Sequence, residues 1–333
     1  MFYVGIRAIY NIFWGKSAGS SLKRVIFYRD SRHFRSIYKS DLILGYMKVF
    51  LPNSVWIGNI DLFLKNIDNT NEEILEISSH ENWVSVHPVV LCMVTALGLK
   101  MRGKNKKISF EIMQATSKHY FERMGLFRFL NLDSEMKINE HEPAGRFIPI
   151  QLIKNSEQLD KFITDMIPLL HFDQEKVEPI RYIISELVRN VFEHAGSTEG
   201  AIVCAQYYKK SNTIRIGVAD AGVGIKNTLD RLYNPKDDIE ALSLALTPGI
   251  TGTTKKVGGS ATNAGAGLFF IKSLAKVNRD FFMIYSGKGM YKLLKNPKNK
   301  EVKLVADPLK DHCSYGGNYP YWTGTVVGID LCL

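Results

Sequence analysis

Three short stretches stand in fixed order in this chain, and together they constrain its fold more than its composition does. They are Glu186-xxx-Asn190-xxx-His194, Asp220-Ala221-Gly222-Val223-Gly224 and Gly265-Ala266-Gly267-Leu268. The first lies in a helical pattern: between Val177 and Ala195 the apolar residues Ile180, Ile183, Ile184, Leu187, Val188, Val191 and Phe192 recur at helical spacing and would face a core. The opposite side carries Arg181, Ser185, Glu186, Arg189, Asn190 and Glu193, so Glu186, Asn190 and Glu193 form one polar stripe. A carboxylate beside an amide suits a hydrated Mg²⁺, which prefers oxygen ligands and keeps several waters. Asn190 is the candidate metal ligand through its side-chain oxygen, and Glu186 the candidate general base. An amphipathic helix with a solvated polar face is the plainer reading of this segment alone.

The second stretch follows Thr213–Ala219, an alternating strand pattern after the Ser211-Asn212 turn. An aspartate at a strand end, followed by Gly-x-Gly, fits a purine edge: its carboxylate accepts from an exocyclic amine, and Gly222 and Gly224 let backbone approach the ring. A charged hydrogen bond of this kind contributes about 1.5–3 kcal/mol. In the third stretch Gly265 and Gly267 precede the helical pattern that begins Leu268-Phe269-Phe270-Ile271, and amides entering a helix N-terminus suit phosphate oxygens. No G-x-x-x-x-G-K-[ST] is present, and Gly265-Ala266-Gly267 does not follow a strand inside a compact βαβ unit.

The triplet resembles the GHKL ATPases. That resemblance covers residues 146–333 and implies a two-layer α/β sandwich, a mixed sheet covered by helices, that binds ATP with Mg²⁺. It implies Glu186 as catalytic base, Asn190 as metal ligand and Asp220 as the adenine contact, with Gly222 and Gly224 beside it. Gly265, Gly267 and Leu268 would close over the phosphates. A late-strand threonine near the adenine matches Thr323-Gly324-Thr325-Val326, with Thr325 the preferred contact. Residues 247–264 would be the lid, from which Lys255 or Lys256 reaches a phosphate. Asn190-Val191-Phe192-Glu193-His194-Ala195 is most similar to the anti-sigma-factor serine kinases. His194 is then a pocket or phosphate contact, although a helix-end histidine more often serves its own helix C-terminus.

Upstream, Glu73–Ile77 reads as a strand, Val89–Leu99 as a helix ending near Gly103, Lys107–Ile112 as a strand and Ser117–Phe127 as a second helix. This order describes an α/β domain over 51–137 that resembles STAS domains. Where a phosphorylated STAS domain carries its serine, the chain reads Val86-His87-Pro88-Val89, with Ser85 offset, which implies docking or regulation rather than phosphorylation. Residues 138–145 read as a linker.

The chain has 333 residues and a net charge of +10. Residues 1–50, a basic aromatic segment, hold nine Lys/Arg and two Asp, and residues 286–310 hold seven Lys and two acids. Such patches mark acidic partners or nucleic acid, but no nucleic-acid motif accompanies them, so nucleic acid is the disfavoured partner and a protein or a second copy the favoured one. Cys92, Cys204, Cys313 and Cys332 show no metal spacing, and apolar neighbours at 92, 204 and 332 suggest buried, reduced thiols. No apolar run reaches membrane-spanning length. The expectation is a cytoplasmic ATPase switch. A protein serine kinase is the alternative, followed by an ATP-gated nucleic-acid-associated protein and a binding module without turnover.

Overall fold

The computed structural model describes residues 46–68, 73–81, 83–111, 115–133, 147–170, 174–250, 266–297 and 301–332. The linker over 138–145, most of the lid with Lys255 and Lys256, Gly265, and the segment preceding residue 46 lie outside the described residues. Residues 45–333 belong to one compact unit.

Its first part contains β1 (Tyr46–Leu51), β2 (Ser54–Val55), α1 (Asp61–Lys65), β3 (Ile74–Ser79), β4 (Ser85–Val86), α2 (Pro88–Gly103), β5 (Lys107–Phe110), α3 (Ala115–Arg123) and α4 (Leu126–Leu130). β1, β3 and β5 form a parallel sheet in that order, and β2 pairs with β4. The expected strand–helix–strand–helix order is present, with two differences. β1 begins inside the stretch assigned to the amino-terminal segment, because Met47, Val49 and Leu51 alternate inward and supply core. The helix expected over 117–127 is two helices, since Gly125 turns the chain at φ +77°.

The second part contains β6 (Phe147–Ile153), α5 (Ser156–Leu170), α6 (Gln174–Asn190), β7 (Ala201–Tyr208), β8 (Thr213–Ala219), α7 (Gly224–Tyr233), α8 (Asp238–Ala245), α9 (Gly267–Val277), β9 (Phe282–Gly287), β10 (Gly289–Leu293), β11 (Cys313–Gly316) and β12 (Trp322–Cys332). Seven strands form one sheet in the order β11-β10-β9-β12-β8-β7-β6. The resemblance implied a mixed sheet, but every pairing among these described strands is antiparallel, and parallel pairing is confined to the first part, in the β1-β3-β5 sheet and the β2-β4 pair.

Within residues 146–333 the implied two layers are present, with α5, α6 and α9 on one face of the sheet, but the preceding residues add a third layer on the other face. An antiparallel sheet with one wet face alternates apolar and polar residues. Here β7, β8, β9 and β12 are buried almost continuously. Ile214, Ile216, Val218 and Val327 pack with α5, α6 and α9, whereas Ile202, Cys204, Met283 and Val326 share a core with α2 and the small sheet. The sheet is thus the middle of three layers. From Val89 to Gly98, α2 is apolar almost all round, as a helix buried between two sheets must be. Its first turn lies on Gly217 of β8, which pairs with Gly328 of β12, and a Cβ at 217 would strike the backbone of Pro88 and Val89.

His87 starts α2. Burial lowers its pKa, so the ring is neutral: Nδ1 accepts from Val89 N at 3.0 Å and Nε2 donates to Asp330 Oδ1 at 2.9 Å. Proline at the first helical position then costs no hydrogen bond. Arg215, 3.5 Å from Asp330 Oδ2, lies over the rings of both Trp56 and Tyr208, which meet edge-to-face. All four cysteines are free thiols. Cys92 and Cys204 are buried as expected, but Cys332 is exposed because it ends the last strand.

Candidate functional site

α6 is amphipathic as read, but after Asn190 it widens into a π-helical turn, Val191–Ala195. Such turns rotate the following side chains out of α-helical register and are frequent at functional sites. The turn ends at Gly196 in the left-handed region, and the Ala195 carbonyl accepts from Val223 N at 2.8 Å. The end of α6 is thereby tied to the loop after β8. Gly222 permits that junction, since a Cβ there would collide with the Ala195 carbonyl, while Gly224 turns at φ +79° into α7. Ser286 of β9 braces this turn, accepting from Ile225 N at 3.0 Å and donating to Gly324 O at 2.8 Å.

Between α6, the 220–225 loop, α7, the start of α9 and β12 lies a cavity of about 270 Å³. Of the residues singled out in the sequence, Glu186, Asn190, His194, Asp220, Gly224, Gly267, Leu268 and Thr325 all line it. Gly222 stands behind the wall, and Gly265 lies outside the described residues. Val218, Leu229 and Val327 add apolar surface.

Asp220 is 2% exposed. Its Oδ1 accepts from Gly222 N at 2.7 Å and its Oδ2 from Thr325 N at 3.2 Å. Burial raises its pKa to about 6, against the opposite pull of those two N–H groups. The strand register supplies the second donor, because β12 pairs with β8 through Val326↔Ala219 and bulges between Trp322 and Thr325. The Asp220 carbonyl accepts from the Trp322 indole at 3.2 Å.

On the opposite wall, Arg189 Nη1 donates to Glu186 Oε1 at 2.7 Å. Glu186 Oε2 faces Gly267, where a Cβ would come within 2.6 Å of it. Asn190 Nδ2 is buried without a protein partner, so the amide has unspent hydrogen-bonding capacity beside the cavity. Among the described residues no group of three or more His, Cys, Asp or Glu can hold a metal ion. An Asn amide oxygen near a Glu carboxylate fits a Mg²⁺ that takes its other ligands from phosphate and water. His194 lines the cavity with Nε2 3.7 Å from Glu193 Oε2.

The motif reading assigned no part to Arg189, Tyr182, Ser286 or Trp322. The i,i+3 spacing of Glu186 and Arg189 was a usable signal. Ser286 and Trp322 carried none, because strand register alone brings them to the site.

Residues 154–279 match the family model of the histidine kinase-like ATPase domain, spanning α5 to α9. The match supports a GHKL-type ATPase and ATP binding, to which the mixed α/β architecture conforms. No curated protein matches the chain. No helix among the described residues is long and apolar enough to cross a membrane.

Proposed function

We propose that this protein is a Mg²⁺-dependent ATP-binding switch that hydrolyses ATP slowly and whose nucleotide state governs docking of a protein partner or a second copy. The observation that carries the reading is the buried Asp220 carboxylate facing the same cavity as Glu186 and Asn190. Asp220 accepts from the exocyclic amine of adenine, and Val218 and Val327 give the ring an apolar floor. Asn190 would hold Mg²⁺ through its amide oxygen, and the ion when bound would supply charge neutralisation at the phosphates. Glu186 takes a proton from water as the water oxygen bonds to the terminal phosphorus. The bond from that phosphorus to the bridging oxygen breaks, and its electron pair leaves with ADP. The amides at the start of α9 receive phosphate oxygens. The resemblance of residues 51–137 to STAS domains, which implies docking or regulation, supports the regulatory part of the reading.

A second reading, transfer of the phosphoryl group to a protein serine, is favoured by the Asn190–His194 spacing. Following γ-labelled ATP with Mg²⁺ in the wild type, Glu186→Ala and Asp220→Asn separates the two. The proposal expects free phosphate that disappears in both variants. Label retained on protein moves the assignment to a kinase, and no nucleotide binding at all sinks both readings.

A further inference from the structure

Arg189 lies in the last turn of α6 and lines the cavity beside Glu186, Asn190 and Tyr182. Its guanidinium donates to one oxygen of Glu186, and the other oxygen lies against Gly267, the first residue of α9. One carboxylate is therefore held between an arginine and the N-terminal turn of an eleven-residue helix, two groups that each favour an anion. Exposure is divided unequally: the Glu186 side chain is 19% exposed and that of Arg189 54%. A surface pair at i,i+3 leaves both ends solvated and contributes little. Here the anion is inside and the cation reaches it from the solvent side.

We infer that Arg189 binds the terminal phosphate and is the residue by which the site distinguishes a nucleoside triphosphate from a diphosphate. The inference rests on the ATP reading above and names the regulation of that same site. Arginine has five N–H donors in a planar fork, and the recorded contact with Glu186 uses one of its terminal nitrogens. Its half-exposed, flexible stem lets the fork turn from one carboxylate oxygen to two phosphate oxygens, the geometry guanidinium prefers. Glu186 and the phosphate compete for one guanidinium, so arrival of the terminal phosphate frees Glu186 Oε1. The base becomes available when the group it acts on is present, and a diphosphate leaves the Arg189–Glu186 pair intact.

The test measures ATP and ADP dissociation constants with Mg²⁺ on the full chain by competition against a fluorescent nucleotide, in wild type, Arg189→Gln and Arg189→Lys. Loss of a charge-assisted contact predicts that Arg189→Gln raises the ATP constant roughly ten- to a hundredfold and moves the ADP constant by less than about threefold. Arg189→Lys, which keeps the charge but not the fork, recovers part of the ATP affinity. Retained ADP affinity shows that the variant is folded with its pocket intact. ATP and ADP affinities that fall together, or that both stay unchanged, overturn the inference. A wild type that binds neither nucleotide overturns the ATP reading itself, and this one with it.

Discussion

Asp220→Asn separates what the Asp220 carboxylate costs the fold from what it contributes to a ligand. Its pKa of about 6 stands above an ordinary value of 3.8 because burial outweighs the N–H groups of Gly222 and Thr325. The folded state therefore holds the proton more tightly than the unfolded chain does. Stability from this group is fully present below pH 3.8 and is lost as pH rises through about 6. At 1.36 kcal/mol per unit, the whole loss is about 3 kcal/mol, and about 2 of it falls between pH 4.5 and 7. Asparagine does not titrate. Its amide keeps one acceptor and turns a donor toward the other N–H, a cost of about 1–3 kcal/mol that is the same at every pH. Urea unfolding of both proteins at several pH values is the assay. The stability of Asp220→Asn relative to wild type should rise by about 2 kcal/mol from pH 4.5 to 7 and level off above pH 7. Adenosine has no phosphate to titrate, so its binding to wild type isolates the ligand side: affinity should fall up to about tenfold per unit below pH 6. Parallel stability profiles for the two proteins would falsify the assignment of a strained, buried carboxylate at the cavity floor.

Gly267→Ala should leave the fold intact, because alanine suits a helix better than glycine, yet reduce phosphate release severalfold as its Cβ displaces Glu186 Oε2; unchanged turnover refutes that geometry. His87→Ala removes the cap of α2 and the donor to buried Asp330, and should cost about 2–4 kcal/mol in urea unfolding. Asp311 accepts from the ammonium groups of Lys272 and Lys276, all three buried, and from the Tyr291 hydroxyl. Asp311→Asn should therefore destabilise by about 3–5 kcal/mol, and a loss below about 1 kcal/mol shows that the cluster is solvated.

Short-range patterns made much of the fold and most of the candidate site readable. Glu186 and Asn190 share a helix face through 3.6-residue periodicity, and Asp220 ends an alternating strand, so one sequence was enough to nominate them. α2 was readable for the same reason, with its apolar run opened by proline and closed near Gly103. What escaped depends on register and on contacts between distant segments. Strand direction is set by connections whose geometry the residues of a strand do not announce, so the mixed sheet rested on the resemblance alone and the antiparallel pairing emerges only from the structure. The third layer escaped because burial on both faces shows only as unusually apolar strands such as β7 and β9, which a two-layer fold also tolerates. Trp322 and Ser286 reach Asp220 and Gly224 through the pairing of β12 with β8 and β9, and no local spacing encodes that.

The covered sheet limits how a switch of the proposed kind reports its nucleotide. With α2 lying on Gly217 and the small sheet beyond it, the face opposite the nucleotide helices is closed to a partner unless that layer moves. Moving it would expose His87, Asp330 and a continuous apolar core, a cost far above the few kcal/mol that nucleotide binding supplies. The cavity's own rim needs no such opening. There Tyr182 of α6 and Phe270 of α9 meet edge-to-face at 5.0 Å while both keep more than a third of their surface in solvent, and partial burial of the Tyr182 hydroxyl, with the Glu186 charge beside it, raises its pKa. Any ligand that moves the start of α9 against α6 must change this aromatic contact. The α6–α9 rim, rather than the layer beyond α2, is therefore the surface on which a switch of the proposed kind displays its nucleotide state most cheaply.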